Sequence, residues 1–278
     1  MTYSRFLLLV GCVAVVCACD LSERSEPYPP DGISPAVFEQ GDAWTYDVVV
    51  TQSPLDTNAV DTLGAVTARM EVTDMDAEAG GRSGLVVLDV YRPSVPDSVD
   101  RTWYDQSPDS LVDVAYTQPS VPWAQPFLRA GDPDGMQAER LTRGVTGVPM
   151  LVRQRLEASG ARMRTTHDSI QVRDDARVVL RAPLREGDAW VSFREPFLSR
   201  RFVEGQTTVE GPAGTFEAVE VVTTLPEMSP SLRWTDYYAT EGLVRRVVTD
   251  TVEVRGPGGR RQGPAVRREA YELISHEN

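Results

Sequence analysis

Few side chains in this sequence have the type and spacing for chemistry. There are two histidines. His167 sits among polar residues in Arg164-Thr165-Thr166-His167-Asp168-Ser169, and His276 lies near the C-terminus, where chain ends usually fray. A hydrolytic triad needs a serine presented to a histidine base that an acid orients. No Gly-x-Ser-x-Gly turn exists to present one, and Gly81-Arg82-Ser83-Gly84 is not that pattern. Asp74-Met75-Asp76-Ala77-Glu78 has the alternate carboxylates that open a calcium loop. Such a loop needs Gly at its sixth position and Glu at its twelfth, where this chain has Ala79 and Leu85. The segment therefore reads as a solvated acidic hairpin tip, and Asp132 and Asp134 read as acidic turn residues. Paired carboxylates would suit glycoside hydrolysis, but 41 acidic residues single out no pair. No glycine-rich phosphate loop opens a helix, so nucleotide chemistry has no support. The expectation is a protein with no catalytic residue, no metal ligand and no cofactor.

Sulfur chemistry is confined to one end. Cys12, Cys17 and Cys19 are the only cysteines. Arg5 precedes an apolar run, Phe6 to Val16, of 11 residues. That is too short for a membrane span of about 20 residues and right for the core of an export signal, roughly 7–15. Val16-Cys17-Ala18-Cys19 then resembles the lipobox of bacterial lipoproteins: an aliphatic residue, two small ones and the cysteine that is lipidated. Leu9-Val10-Gly11-Cys12 fits the motif too. Cleavage there would leave too short a signal core and a greasy mature terminus, so Cys19 is preferred. The resemblance implies residues 1–18 as signal peptide, a diacylglyceryl group on the Cys19 sulfur, and attachment to the membrane of a bacterial cell envelope, on its periplasmic or surface face. More than one acyl chain is needed for stable anchoring, which further acylation of the freed amine would supply. With Cys19 committed to lipid, the rest of the chain has no thiol for disulfides, thiolate catalysis or metal ligation.

The formal net charge is −13, and all 28 basic residues are arginine. An acidic, lysine-free surface argues against nucleic acid as a partner, because phosphate binding relies on basic contacts. Residues 19–36 are rich in proline, serine and carboxylates, the composition of a solvated tether.

From Val37 onward apolar and polar residues alternate, with Val, Thr, Tyr and Trp filling the runs as half-buried strands require. Strands are expected at 43–51, 65–73, 84–91, 101–105, 111–116, 162–172, 176–181, 189–193, 202–210, 215–223, 232–238, 243–254 and 265–274. Turn residues lie between them at Gly80-Gly81, Asp132-Pro133-Asp134-Gly135, Gly211-Pro212-Ala213-Gly214 and Gly256-Pro257-Gly258-Gly259. Only 136–143 and 151–159 suggest short helices. The fold class is mainly β: an antiparallel, strongly curved sheet, half-barrel or sandwich, over 37–278.

One phrase recurs. Glu39-Gln40-Gly41-Asp42-Ala43-Trp44 is echoed by Arg185-Glu186-Gly187-Asp188-Ala189-Trp190. In each, Gly-Asp makes a turn and the tryptophan anchors the incoming strand. The repetition suggests two similar lobes, 37–160 and 161–278. With Gly214-Thr215-Phe216, Tyr237-Tyr238-Ala239 and Gly242-Leu243-Val244, it resembles the β domains of uncharacterised envelope lipoproteins. It is loosely similar to the curved half-barrels of periplasmic lipoprotein carriers. That resemblance implies a concave apolar face for an acyl chain, with no ligand residue carried over. The aromatics Trp44, Tyr46, Trp103, Tyr104, Trp123, Trp190, Trp234, Tyr237 and Tyr238 read mainly as core and strand-packing residues that could line such a groove. The leading functional expectation is a lipid-anchored binding or scaffolding module whose partner is an envelope protein or lipophilic ligand. The alternatives are an acyl-chain carrier and a carboxylate-dependent hydrolase.

Overall fold

The structure is a computed structural model that describes residues 32–35, 37–93, 95–117, 149, 151–152, 170–194, 198–255 and 260–278. Cys19, the signal and most of the tether lie outside the described residues, as do His167, Trp123, Asp132, Asp134 and the 136–143 helix. Of the 151–159 segment only Leu151 and Val152 are described, and both are helical.

Twelve strands form one antiparallel sheet: β1 (Ala43–Pro54), β2 (Asp61–Ala79), β3 (Arg82–Arg92), β4 (Val95–Ser107), β5 (Ser110–Thr117), β6 (Ile170–Arg181), β7 (Ala189–Phe193), β8 (Ser199–Gly211), β9 (Gly214–Thr224), β10 (Arg233–Ala239), β11 (Gly242–Arg255) and β12 (Arg261–Glu277). Their order is β6-β5-β4-β3-β2-β1-β12-β11-β10-β9-β8-β7. Every sequential pair except β6 and β7 is joined in the ladder, and β12 pairs with β1. The meander is thus nearly circular, a barrel with one seam. At the seam, side chains stand in for a ladder. Trp190 Nε1 (3.2 Å) and Ser192 Oγ (2.8 Å) on β7 both donate to the Val178 carbonyl of β6, and the Arg194 N–H bonds Asp175 Oδ2 at 3.2 Å. Arg201 of β8 reaches across to the Val179 carbonyl.

The strands expected from alternation are present wherever they fall on described residues, most of them longer than expected, with one correction. Of the expected strand 162–172, residues 162–169 lie outside the described residues, and its described end, 170–172, is not separate from 176–181. One strand, β6, begins at Ile170 and runs to Arg181, crossing two register shifts against β5. Bulges keep a strand continuous while re-aiming its side chains, and polar Arg173-Asp174-Asp175 looks like a turn when it is a bulged stretch. Likewise 74–78 is not a hairpin tip: it lies within β2, and the turn is made by Gly80 and Gly81 at φ +60° and +78°. Three shifts of register between β2 and β3 bend this hairpin. Its tip rests on β6, where a Cβ at Gly80 would stand 2.7 Å from Val172 Cγ1.

The two Gly-Asp-Ala-Trp phrases open β1 and β7, the first strands of two six-strand runs, and make matching bonds. Asp42 Oδ2 accepts the Glu39 N–H (2.7 Å), as Asp188 Oδ2 accepts that of Arg185 (3.3 Å). Gly41 and Asp42 exchange backbone bonds with Val72 of β2, as Gly187 and Asp188 do with Val203 of β8. Both glycines have positive φ, +94° and +86°, a conformation that disfavours any side chain.

Barrel diameter grows with strand number, and about eight strands already enclose side chains only. Twelve leave a wider interior, and this one is filled by long side chains. Trp44, Tyr46, Tyr104, Trp234, Tyr271 and Arg201 are all essentially buried. One apolar cluster gathers around Trp44, Tyr46, Leu88 and Leu273. A second, of Leu151, Val152, Phe193, Leu225, Leu232, Trp234 and Val248, includes the two described helical residues, and the Leu151 N–H bonds Glu269 Oε2 at 2.9 Å.

Candidate functional site

An apolar pocket of about 90 Å³ opens at one end of the barrel. It lies where the β4–β5 and β10–β11 turns meet the chain leading into β1. Its wall includes Trp44, Met70, Leu88, Leu111, Val179 and Leu243, with Tyr104, Tyr238 and Arg246 also lining it. Among the described residues, no aspartate or glutamate lines it.

The lip is a built structure. Pro35, Val37 and Phe38 lie along it. Gln106 clamps Phe38 from both sides: its Oε1 accepts the Phe38 N–H at 3.0 Å and its Nε2 donates to the Phe38 carbonyl at 3.3 Å. The Phe38 ring packs edge-on against Trp44 (5.4 Å) and Tyr104 (6.4 Å). Just upstream, Ile33 forms an antiparallel bridge with Leu184. Trp44 is fixed by its Nε1 bond to the Glu241 carbonyl (2.8 Å), and Tyr46 by its hydroxyl bond to the Leu243 carbonyl (2.8 Å). Burial pushes the Tyr46 and Tyr104 hydroxyls well above the usual phenol range, so both are neutral donors at any physiological pH.

Below the pocket lies a layer of charge that sequence reasoning did not find. Three guanidiniums converge on the indole of Trp234: Arg246 at 5.3 Å, Arg177 at 5.9 Å and Arg201 at 5.9 Å. Asp236 receives Arg246 through Nε (2.5 Å) and Nη2 (3.1 Å), Arg201 through Nη2, the Trp234 indole N–H (2.9 Å) and the Tyr238 hydroxyl (3.4 Å). Burial alone would raise its pKa; Arg246 and then Arg201 outweigh that and hold it below the ordinary carboxylate range. Asp113 is shared in the same way between Arg173 (2.6 Å) and Arg177 (3.9 Å). Arginine suits this duty because its planar fork binds a carboxylate edge-on and stacks on aromatic faces.

The signal for this layer was present in the alternation. Arg246 and Asp250 fall in phase with buried Val244 and Val248, and Asp236 falls between Trp234 and Tyr238. A charge in phase with the apolar face points inward unless the strand bulges.

The residues singled out for chemistry are not brought together. His276 is not on a frayed end: it pairs with Trp44 in the β12–β1 ladder and stacks on its indole at 4.9 Å. Asp74 Oδ1 accepts the Asp76 N–H at 2.9 Å, a local contact within β2. Among the described residues, no group of three His, Cys, Asp or Glu is placed to hold a metal. Of the aromatics, Trp44, Tyr104 and Tyr238 line the pocket, Trp190 and Trp234 face guanidiniums, and Trp103 packs in a separate cluster with Leu85 and Val87.

No family model matches the sequence, and no curated protein matches it. Among solved structures, the chain is similar to a Bacteroides fragilis protein described as exported, with a YmcC-like fold. Identity is 12%, the TM-score is 0.38, and the match covers 89% of this chain and 100% of that one. It is also similar to a Parabacteroides distasonis protein described as a lipoprotein, at 10% identity and a TM-score of 0.35 over 89% and 100% of the two chains. Likeness at this level carries no function across.

Proposed function

We propose that this protein is a lipid-anchored binding module of the bacterial cell envelope, without catalysis of its own, that takes a small apolar group into the pocket at the barrel end. The observation that carries the reading is the pocket itself: apolar walls beside a clamped lip at one end of the barrel. The lip belongs to the chain segment that leads back to Cys19. The 13 residue steps from Cys19 to Gly32 span at most roughly 45 Å when extended, so a lipid on Cys19 would tether the barrel within that distance of a membrane.

The size of the pocket bears on the acyl-carrier alternative. An engineered cavity of about 150 Å³ accepts a benzene ring, and this one is smaller, at about 90 Å³. It suits a small ring or the end of a short chain, and a whole long acyl chain would need the packed interior to open. Nothing in the wall favours the carboxylate-pair hydrolase, since Asp236 and Asp113 lie in the ion pairs beneath. Two measurements test the reading. Mass spectrometry of the N-terminus of the membrane-extracted protein should find Cys19 first and diacylated; an unmodified Cys19 overturns the anchor. Small apolar compounds should raise the melting temperature of the native protein and fail to do so in Leu111→Trp, which fills the pocket. Equal response of the two proteins would refute the pocket as the site.

A further inference from the structure

The barrel is closed by backbone ladders at every junction but one, the seam between β6 and β7. Among the described residues, side chains carry the hydrogen bonds that cross it. Trp190 and Ser192 of β7 share the Val178 carbonyl, Arg201 of β8 reaches the Val179 carbonyl, and the Arg194 N–H meets the Asp175 carboxylate. Separating any other neighbours in the sheet strips a row of backbone groups of their partners, and an unmet backbone group is costly. Separating β6 from β7 breaks no ladder. β7 would move with β8, to which four of its five residues are paired. Its entry stays with β8 as well, because Gly187 and Asp188 exchange backbone bonds with Val203, whereas Ala182 is held on the other side by the Asp109 carbonyl at 2.8 Å. Residues 183–186 are therefore where the two sides would swing apart.

The polar atoms around the seam favour the same movement. Nine buried side-chain atoms make no hydrogen bond among the described residues, and seven of them lie on strands flanking the seam. They are Asp113 Oδ1 on β5, Arg173 Nε and Arg177 Nε and Nη1 on β6, Ser199 Oγ and Arg201 Nε on β8, and Thr223 Oγ1 on β9. Burying a polar atom without a partner is costly, so these groups oppose closure and gain water when the seam parts. What holds the seam shut is its apolar part. Trp190 and Phe193 of β7 are both buried, and the Phe193 ring lies 5.9 Å from the Arg177 guanidinium of β6.

We infer that the β6–β7 seam is a lateral opening of the barrel, and that its parting widens the pocket for an unbranched alkyl chain too long for the closed cavity. The alkyl chain rests on the pocket being a ligand site; the parting of the seam does not. Val179 and Leu180 of β6, and Ala182 just beyond it, line the pocket, so one strand bounds both the cavity and the seam. Without a ligand, parting would expose the rings of Trp190 and Phe193, and burial of that apolar surface keeps the seam shut. An alkyl chain lying in the gap would cover the same rings, while the unpartnered polar atoms lose nothing. A small ring needs no such movement, because the closed pocket already offers about 90 Å³.

The test uses the full chain, extracted with its anchor in digitonin, whose apolar part is a steroid rather than an alkyl chain. The Trp190 indole N–H bonds across the seam, and that of Trp44 bonds the Glu241 carbonyl away from it. In the native protein the first should exchange with solvent about tenfold faster than the second; equal rates overturn the opening. A disulfide formed in the double variant Asp175→Cys, Arg194→Cys locks the seam at two exposed positions already joined by a hydrogen bond. Oxidation of this variant should slow Trp190 exchange at least tenfold, and reduction should restore it; no change overturns the opening. Binding is read as tryptophan quenching by a terminally brominated undecanol and by a brominated benzyl alcohol. The oxidised lock should weaken undecanol at least tenfold and leave the benzyl alcohol unchanged. Undecanol that binds both forms equally, or neither, refutes the alkyl chain. If the benzyl alcohol does not bind the native protein, the pocket reading falls and the exchange rates still judge the seam. Should the double variant not fold, Ser192→Ala takes its place. Having lost one bond across the seam, it should speed Trp190 exchange severalfold and bind undecanol more tightly; an unchanged rate overturns the opening.

Discussion

Replacing Asp236 by asparagine isolates the cost of the charge layer. The change keeps side-chain volume and removes only the negative charge, so the loss is electrostatic rather than a packing defect. In the native protein Asp236 is fully buried and accepts from two guanidiniums, an indole and a phenol. The variant leaves Arg201 and Arg246, each no more than 2% exposed, facing an amide whose NH2 must point at one of them. Breaking one partner of a buried pair typically costs about 3–5 kcal/mol. For a domain of this size that corresponds to a fall in melting temperature of roughly 6–20 °C. Urea unfolding of both proteins at pH 7, with the slope checked for constancy, reads the difference. Its pH dependence is a second signature. A carboxylate whose folded pKa is depressed stabilises fully above its unfolded value, near 4, and that contribution is lost as pH falls through the lower folded pKa. The gap between native and variant protein should therefore be constant from about pH 5 to 8 and close below about pH 4. A companion that replaces the whole cluster, Arg201→Met, Asp236→Leu and Arg246→Met together, should cost less than the single change, because no charge is stranded. A loss under about 1 kcal/mol in Asp236→Asn, or a gap that does not close in acid, would refute the account of Asp236 as the anion that holds two buried cations.

The repeated turns give a matched pair. Asp42→Ala removes a 2.7 Å bond at a buried carboxylate and should cost about 1–2 kcal/mol, while Asp188→Ala removes a 3.3 Å bond at an exposed one and should cost about half as much; equal losses by thermal unfolding would mean that burial does not set the difference. At the β2–β3 tip, Gly81→Ala pays only for positive φ, about 1 kcal/mol, whereas Gly80→Ala also collides with Val172 and should cost roughly 1–2 kcal/mol more. If the two alanines are indistinguishable, the tip is not seated on β6. Tyr46→Phe removes a buried donor from the Leu243 carbonyl and should lower stability by about 1–2 kcal/mol in denaturant titration; no loss would place water at that carbonyl instead.

How far the sequence reached depends on the range of the interaction that decides each feature. Strand alternation is local, so 189–193 is found to the residue, and the turns at Gly80-Gly81 and Gly211 to Gly214 fall where their glycines permit. β6 is missed as a unit because bulges interrupt its period of two over Arg173-Asp174-Asp175. Closure of the sheet is not local at all: β1 meets β12 across the whole chain, and the seam is held by Trp190, Ser192 and Arg201 rather than by a pattern in either strand. The pocket is harder still to foresee, because residues 35–38, the β4–β5 turn and the β10–β11 turn come together only once the barrel exists.

The missing lysine takes on a second meaning at this point. In the sequence it reads as a property of the surface, an argument against nucleic acid and little else. Inside a twelve-strand barrel the long basic residues also have packing to do. Arg201 spans from β8 to the Val179 carbonyl of β6 and to Asp236 of β10, filling space that aliphatic side chains from the walls would leave open. It does so with a flat group that lies against Trp190, Trp234 and Tyr238 at once. An ammonium is a strongly hydrated point charge that can neither fork onto a carboxylate nor stack on a ring in this way. Arg201→Lys should therefore behave as a truncation rather than a conservative change. It leaves the Val179 carbonyl without its donor and brings a better-hydrated cation into the same dry space. The seam between β6 and β7 is where that loss should first appear, as faster amide exchange in β7, whose five residues pair in the ladder only with β8.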